Sequence, residues 1–354
     1  MKRKKITVLV VDDSLVFRTA LTRAINSCAN IEVIGTASSA FEASDKIDEL
    51  SPDVVTLDVE MPQMNGIEFL KKLMPHRSVA VVVVSSRPSN AFAALDAGAV
   101  DFVKKPLIRG AQDLEDFASE LCSKIVAAKS ARIKGPQPIK RATENVQTRV
   151  RPSISEIAAI GKSTKTIIAL GASTGGTEAL QTVVKDLPEE TPGILIVQHM
   201  PAGFTKMYAE RLNRVSKMEV KEAQDGDRVS AGKVLIAAGD YHMELAKDRH
   251  GYYVKCYQGE KVSGHCPSVD VLFDSVADVA GENALACILT GMGSDGAKGL
   301  LNLRKKGAFT IGQDKESSVV YGMPMVAFNI GAVGRQAPLS EIPQIIIDEI
   351  KKSG

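Results

Sequence analysis

Short apolar runs rich in valine and isoleucine, each handing over to a segment with apolar residues at helical spacing, recur along most of the chain. No other feature constrains the fold as much. A strand apolar on both faces must be covered on both sides, and its parallel partner can be reached only through a crossover helix. In the first 130 residues the strands read near 6–11, 31–36, 53–57, 79–85 and 100–103, with helices near 14–27, 39–49, 65–73, 89–97 and 112–130. Five β–α units in that length predict a doubly wound parallel sheet. A second series starts near Lys165. Its strands read near 166–171, 193–198, 233–238, 284–290 and 308–312, and its helices near 176–186, 203–216, 268–280 and 296–306. Between the two lies IKGPQPIKRATENVQTRVRPS (133–153), basic, proline-containing and without an apolar period, which reads as a linker. The expected class is α/β, with two three-layer αβα domains at 1–130 and 164–354 joined by a linker at 131–163. A chain of 354 residues is long enough for two cores.

Composition narrows the partners. With 44 Lys and Arg against 42 Asp and Glu, the net charge is +2, which argues against a dedicated nucleic-acid binder. The longest purely apolar runs, such as VAVVVV (79–84), are strand-sized, so membrane insertion is not expected. The start MKRKKITVLVVDD has too short an apolar run for a signal peptide and meets two aspartates, so a cytoplasmic protein is expected. Cysteines 28, 122, 256, 266 and 287 are scattered and show no C-x-x-C spacing, suggesting neither a disulfide framework nor a zinc site.

Chemistry collects where strands stop. In the first domain VLVVDDS leaves Asp12 and Asp13 at the end of the first strand, and VVTLDVEMPQMNG leaves Asp58 at the end of the third. VVVVSS and DFVKKP leave Ser85 and Lys105 at the ends of the fourth and fifth. The carboxyl ends of strands in an open α/β sheet form one crevice, so these groups should meet. Clustered carboxylates repel, and a hard divalent cation such as Mg²⁺ relieves the repulsion. Asp58 could then attack a phosphoryl group, with Ser85 and Lys105 holding its oxygens. Taken singly, each aspartate could equally be a helix cap. These runs, with GAVDFVKKP, resemble a response-regulator receiver domain over essentially all of 1–130. The resemblance implies a flavodoxin-like fold with Asp58 as phosphoacceptor and a histidine kinase as phosphodonor. It also implies Asp12, Asp13, Asp58 and the backbone carbonyl of Glu60 around Mg²⁺. Phe102 occupies the aromatic position that responds to phosphorylation; an ordinary core aromatic is the other reading.

The second domain opens on LGASTGGTEAL (170–180), a glycine-rich turn between a strand and a helix. Gly171-Ala172-Ser173-Thr174-Gly175 fits the G-x-S-x-G elbow, which would present Ser173 as a nucleophile. A phosphate-cradling or merely tight turn is the alternative, although G-x-x-x-G-G differs from the dinucleotide pattern. A serine nucleophile needs a base, and the base an orienting acid. Of the five histidines, His199 in ILIVQHMPAGF follows an apolar strand and so projects at the same rim. His250, among charges in AKDRHGYY, reads as a hairpin tip. For the acid, Asp295 ends the glycine-rich loop of ALACILTGMGSDGAKGL and opens a helix, where it could also act as N-cap. The N–H groups of Thr174 and Met292 are candidates for an oxyanion hole.

GASTGGTEAL, VQHMP, HCPSVDVLF, LTGMGSDGA and QDKESSVVYGMP resemble the methylesterase domain of chemotaxis receptor-modification enzymes, the CheB family, over about 165–350. The resemblance implies a Rossmann-like hydrolase whose triad carries over to Ser173, His199 and Asp295. It implies hydrolysis of glutamate γ-methyl esters on methyl-accepting chemoreceptors to glutamate and methanol, deamidation of certain receptor glutamines, and no cofactor for the esterase step. One departure is Cys266, where the family usually has arginine, which puts the contact with receptor or receiver in doubt. The rival reading is a receiver-linked regulator whose second domain binds a partner or nucleotide without hydrolysis.

Overall fold

Valine- and isoleucine-rich runs, buried on both faces, stand at the centre of each sheet in the computed structural model, which describes residues 4–106, 111–132 and 166–353. The chain divides into two units, Met1–Glu144 and Asn145–Gly354. The expected linker at 131–163 lies, beyond its first two residues, outside the described residues.

The first unit contains strands β1 (Ile6–Val11), β2 (Ile31–Ala37), β3 (Val54–Asp58), β4 (Ala80–Ser85) and β5 (Asp101–Lys104). They pair in parallel in the order β2-β1-β3-β4-β5, the flavodoxin-like doubly wound order. Helices α1 (Leu15–Asn26), α2 (Ala40–Leu50), α3 (Gly66–Leu73), α4 (Pro88–Asp96) and α5 (Ala111–Ser130) alternate with them. Local chemistry sets the starts: Ser14, Ser39 and Asn65 each accept a first-turn N–H, from Phe17, Glu42 and Glu68. The elements expected here are all present, and their ends agree to about one residue.

The second unit contains β6 (Ile167–Ala172), β7 (Ile194–Gln198), β8 (Glu219–Glu222), β9 (Lys233–Ile236), β12 (Ala284–Ile288), β13 (Phe309–Gln313) and β14 (Arg335–Ala337). Their order is β14-β13-β12-β6-β7-β9-β8, again all parallel. From β6 the chain winds outward through β7 to the edge strand β8, fills in β9 between them, then returns to β12 on the other side of β6. The strand order therefore reverses between β6 and β12, the point where α/β sheets bind ligands. The helices are α6 (Gly176–Lys185), α7 (Phe204–Asn213), α8 (Val269–Val279), α9 (Ala297–Lys305), α10 (Met323–Asn329) and α11 (Ile342–Ser353). The hairpin β10 (His242–Asp248) and β11 (Gly251–Tyr257) sends Leu245, Tyr252 and Val254 into the main core, and His250 sits at its tip as expected.

Of the hairpin strands β10 and β11 only the tip was read from the sequence, and four further elements were not legible. β8 is the polar edge run EVKE, β14 has only three residues, and α10 is a seven-residue helix containing a proline. In α11 three successive isoleucines obscure the helical period. One expectation is corrected: Cys28, just past α1, and Cys122, in α5, form a disulfide across 94 residues, with Cα atoms 6.7 Å apart. The winding order lays α1 and α5 on one face, where Phe17 and Phe117 also meet with ring centroids 6.1 Å apart. Linear spacing carries no sign of that adjacency. Cysteines 256, 266 and 287 are free thiols.

Candidate active site and phosphoacceptor pocket

At the β1, β3 and β5 ends of the first sheet, the structure brings together all the groups expected except one. Carboxylate oxygens of Asp12, Asp13 and Asp58 lie within 4.8 Å of one another, a spacing that fits one hard divalent cation. Lys105 closes the pocket, with Nζ 2.7 Å from Asp58 Oδ2 and 3.0 Å from Asp12 Oδ2. Burial pushes the Asp12 carboxyl up to about 6; the Lys105 hydrogen bond opposes this and the neighbouring Asp58 charge adds to it. Burial would pull the Lys105 ammonium down, but its bonds to Asp58 and Asp12 hold it above its usual range. Its ammonium also lies 4.3 Å from the centroid of the Phe17 ring, a contact the sequence did not signal.

Ser85 is the exception. Its Oγ is buried but bonded to the backbone of Arg87, donating to the carbonyl and accepting from the N–H, both at 3.2 Å. Glu60 donates its N–H to Asp58 Oδ1 at 3.0 Å, which fixes the rotation of that carboxylate. Phe102 is buried edge-on to Phe92, with ring centroids 6.0 Å apart.

In the second unit Ser173 directly follows β6, His199 directly follows β7, and Asp295 ends the loop after β12. All three are buried. The backbone joins the strand ends: His199 N–H donates to the Ala172 carbonyl at 3.2 Å, and Ser173 N–H to the Thr290 carbonyl at 3.0 Å. Gln198, which the sequence did not single out, donates Nε2 to the Ser173 carbonyl at 3.0 Å and braces the elbow. Gly291 lets the third strand end come this close: a Cβ there would stand 2.7 Å from Ser173 Cβ. Thr174 is buried at the start of the turn, and Met292 follows Gly291 in the facing loop.

His199 Nε2 lies 2.7 Å from Asp295 Oδ2. The proton on that bond belongs to Nε2, because the carboxylate accepts, so the neutral ring has its lone pair on Nδ1. Nδ1 is buried and has no hydrogen-bond partner among the described residues. The imidazole plane is held from one side by His265, whose ring stacks at 3.6 Å between centroids and 10° between planes. Burial alone would raise the Asp295 carboxyl; the His199 hydrogen bond, the charge His199 carries when protonated, and the N–H groups of Asp270 and Val269 outweigh it and bring the group down to about 2. The additional role considered for Asp295, capping its own helix, is not found. Gly296 occupies the N-cap of α9 without a side-chain bond, and Asp295 instead accepts from the start of α8. Gly296 takes the cap position in the left-handed region, and both Asp295 oxygens are already engaged by Ser268, Val269 and Asp270.

Comparisons with known proteins identify the family of each unit. The model of the CheB methylesterase family matches residues 168–346, and that of the response regulator receiver domain matches residues 8–116. A protein-glutamate methylesterase/protein-glutamine glutaminase 2 of Syntrophomonas wolfei is 52% identical over 98% of this chain and 98% of its own. Another of the same name, from Pseudomonas aeruginosa, is 44% identical over 99% of this chain and 98% of its own. The crystal structure of the Thermotoga maritima CheB methylesterase catalytic domain superposes with a TM-score of 0.52. It is 38% identical and covers 52% of this chain and 99% of that domain.

Proposed function

The chain belongs to the CheB methylesterase family, with a response regulator receiver ahead of the hydrolase, and from that premise we propose that Ser173, His199 and Asp295 carry its chemistry. The activity is hydrolysis of protein glutamate methyl esters and deamidation of protein glutamines, as in relatives named for both. Receiver 1–130, linker 131–163 and hydrolase 164–354 are the proposed division of labour. The substrates are glutamate γ-methyl esters of cytoplasmic segments of chemoreceptors, and the protein works in the cytoplasm. Among the described residues no helix is long and apolar enough to cross a membrane.

The observation that carries the triad is the unpartnered, buried Nδ1 of a histidine whose Nε2 is committed to a carboxylate. As Ser173 Oγ attacks the ester carbonyl, Nδ1 accepts the hydroxyl proton. Asp295 stays ionised and stabilises the imidazolium. The N–H groups of Thr174 and Met292 stabilise the oxyanion. Collapse breaks the ester C–O bond, and the imidazolium protonates the leaving methoxide as methanol; from a glutamine, ammonia leaves instead. Water then attacks the acyl-enzyme, with Nδ1 again as base, and releases glutamate and Ser173.

Asp58 is the proposed phosphoacceptor, with a histidine kinase as donor. Asp12, Asp13, Asp58 and the Glu60 carbonyl would hold Mg²⁺, which supplies charge neutralisation at the phosphoryl oxygens. Lys105 is already on Asp58 Oδ2, so it is positioned to follow a phosphoryl group. Ser85 must release the Arg87 backbone to join it. Phe102 is proposed to change its packing on Phe92 in response. Methanol release from methylated receptor, with and without acetyl phosphate, tests both halves. Labelling by a serine-directed fluorophosphonate, lost in Ser173→Ala, separates the hydrolase from a mere binder.

A further inference from the structure

The run His265-Cys266-Pro267-Ser268-Val269-Asp270 contributes no member of the triad, yet its last three residues supply most of what holds the acid. Ser268 is the N-cap of α8, its Oγ accepting from Val271 N–H. The same hydroxyl donates to Asp295 Oδ1 at 2.8 Å. Asp270 N–H donates to that oxygen at 3.0 Å, and Val269 N–H to Oδ2 at 2.8 Å. With His199 Nε2 at 2.7 Å on Oδ2, each carboxylate oxygen has two partners. Three of the four come from the first turn of one helix, whose N–H groups lack intrahelical partners and whose dipole favours an anion.

Among these donors the hydroxyl is the one a side chain supplies. The two N–H groups are part of the helix and persist whatever residue stands at 268. Ser268 is fully buried, and its own N–H donates to His242 Nδ1 at 3.3 Å. His242, also buried, lies with Nε2 2.8 Å from the Glu260 carbonyl, so that nitrogen carries the ring proton. The serine is thus fixed from behind while its O–H pulls on Oδ1, opposite the oxygen that faces His199.

We propose that Ser268 is a positioning residue of the hydrolysis: its hydroxyl fixes the rotation of the Asp295 carboxylate so that Oδ2 stays on His199 Nε2. This rests on the assignment of Ser173, His199 and Asp295. A second carboxylate adds to the need for it. Asp270 is buried nearby and is pushed upward by burial, with the charge of Asp295 adding to the shift. A freely turning Asp295 would have two oxygens to offer and one productive orientation.

The test uses the full-length protein activated with acetyl phosphate, and membranes bearing receptor labelled at its methyl esters. Ser268→Ala should lower kcat about 10- to 100-fold, the scale seen when an orienting partner of a reacting group is removed, with KM for receptor little changed. With its carboxylate no longer held in rotation, Asp295 supports the imidazolium of His199 less well. The acid limb of kcat/KM should therefore move to lower pH. Loss of folded protein alone would scale activity at every pH and leave the limb in place. Ser268→Thr keeps the hydroxyl and should recover most of the loss; if its added methyl destabilises the site, Ser268→Cys, with a weak S–H donor, should fall between serine and alanine. Wild-type kcat in Ser268→Ala, or a fall in kcat with an unmoved acid limb, overturns the proposal. Ser173→Ala, measured beside it, separates the two failures: activity in that variant sinks the triad, while its inactivity together with a wild-type Ser268→Ala sinks only the role of Ser268.

Discussion

The two units use the same architecture to gather different chemistry. In the receiver, Asp12, Asp58 and Lys105 stand at strand ends or one residue past them, and they hold one another directly, cation to carboxylate. In the hydrolase, two members follow strand ends, but the third comes from a long glycine loop and is held by another helix. The difference follows from the charge each pocket must manage. The receiver concentrates like charges around Lys105, and burial leaves Asp12 hard to ionise. The hydrolase surrounds Asp295 with donors, which drive that acid the other way although Asp270 is buried beside it. A binding pocket can leave its charge to be completed by ligand; a catalytic triad must be complete beforehand.

The comparison can be broken first at the reacting groups. Ser173→Ala and His199→Ala should each reduce methanol release by roughly 10⁴- to 10⁶-fold, and the double variant should be little worse than either, because the residues act as a unit. Near-additive losses would break up the triad. In the receiver, Asp58→Asn should abolish labelling from acetyl phosphate while leaving basal hydrolysis in place, and chelation of Mg²⁺ should abolish labelling of the native protein. Next comes the coupling of the units: acetyl phosphate should raise methanol release by about 5- to 150-fold, corresponding to 1–3 kcal/mol of coupling, and Asp58→Asn should remove the response. Stimulation that survives in Asp58→Asn would place control outside the phosphoacceptor.

A smaller, structural effect probes how tightly each site is built. Gly66 in the receiver and Gly291 in the hydrolase both lie against functional backbone: a Cβ would stand 2.5 Å from the Asp58 carbonyl oxygen and 2.7 Å from Ser173 Cβ. Either glycine changed to alanine should cost about 1–3 kcal/mol by overpacking, read as a lowered denaturant midpoint, with phosphorylation affected only by the first and hydrolysis directly only by the second. The smallest effect is in pH. Asp12 has a folded value raised to about 6, so protonation favours its folded state, and its contribution weakens as pH rises from about 4 through 6. Asp295 is lowered to about 2, so its contribution is full above about pH 4 and is lost as pH falls through 2. Thermal melts of metal-free Asp12→Asn and Asp295→Asn proteins, each referenced to the native chain, should diverge in opposite pH windows. Parallel curves would mean the two carboxylates do not differ as described.

Much of this was legible because it is local. A run such as VLVVDDS shows strand, stop and pocket residue within seven positions, and GASTGGTEAL shows strand end, elbow and helix start likewise. Periods of two and 3.6 residues and cap chemistry act over a few positions, so the α/β class, the winding and the strand-end residues could be read directly. Short or polar elements such as β8 and β14 escaped because their strand identity comes from the neighbour they pair with.

By itself the chain determined which residues reach the two rims: Asp12, Asp13, Asp58 and Lys105 on one, Ser173 and His199 on the other. Only the tertiary structure decided how they pair. Ser268 meets Asp295 across 27 residues, His199 meets Asp295 across 96, and Cys28 meets Cys122 across 94. Each pairing depends on which side of a sheet a helix crosses and how two loops pack at the turning point. Only the fold could put Nε2 of His199 on Asp295 and leave Nδ1 buried with no hydrogen-bond partner among the described residues, because a ring nitrogen has no identity until its neighbours are in place.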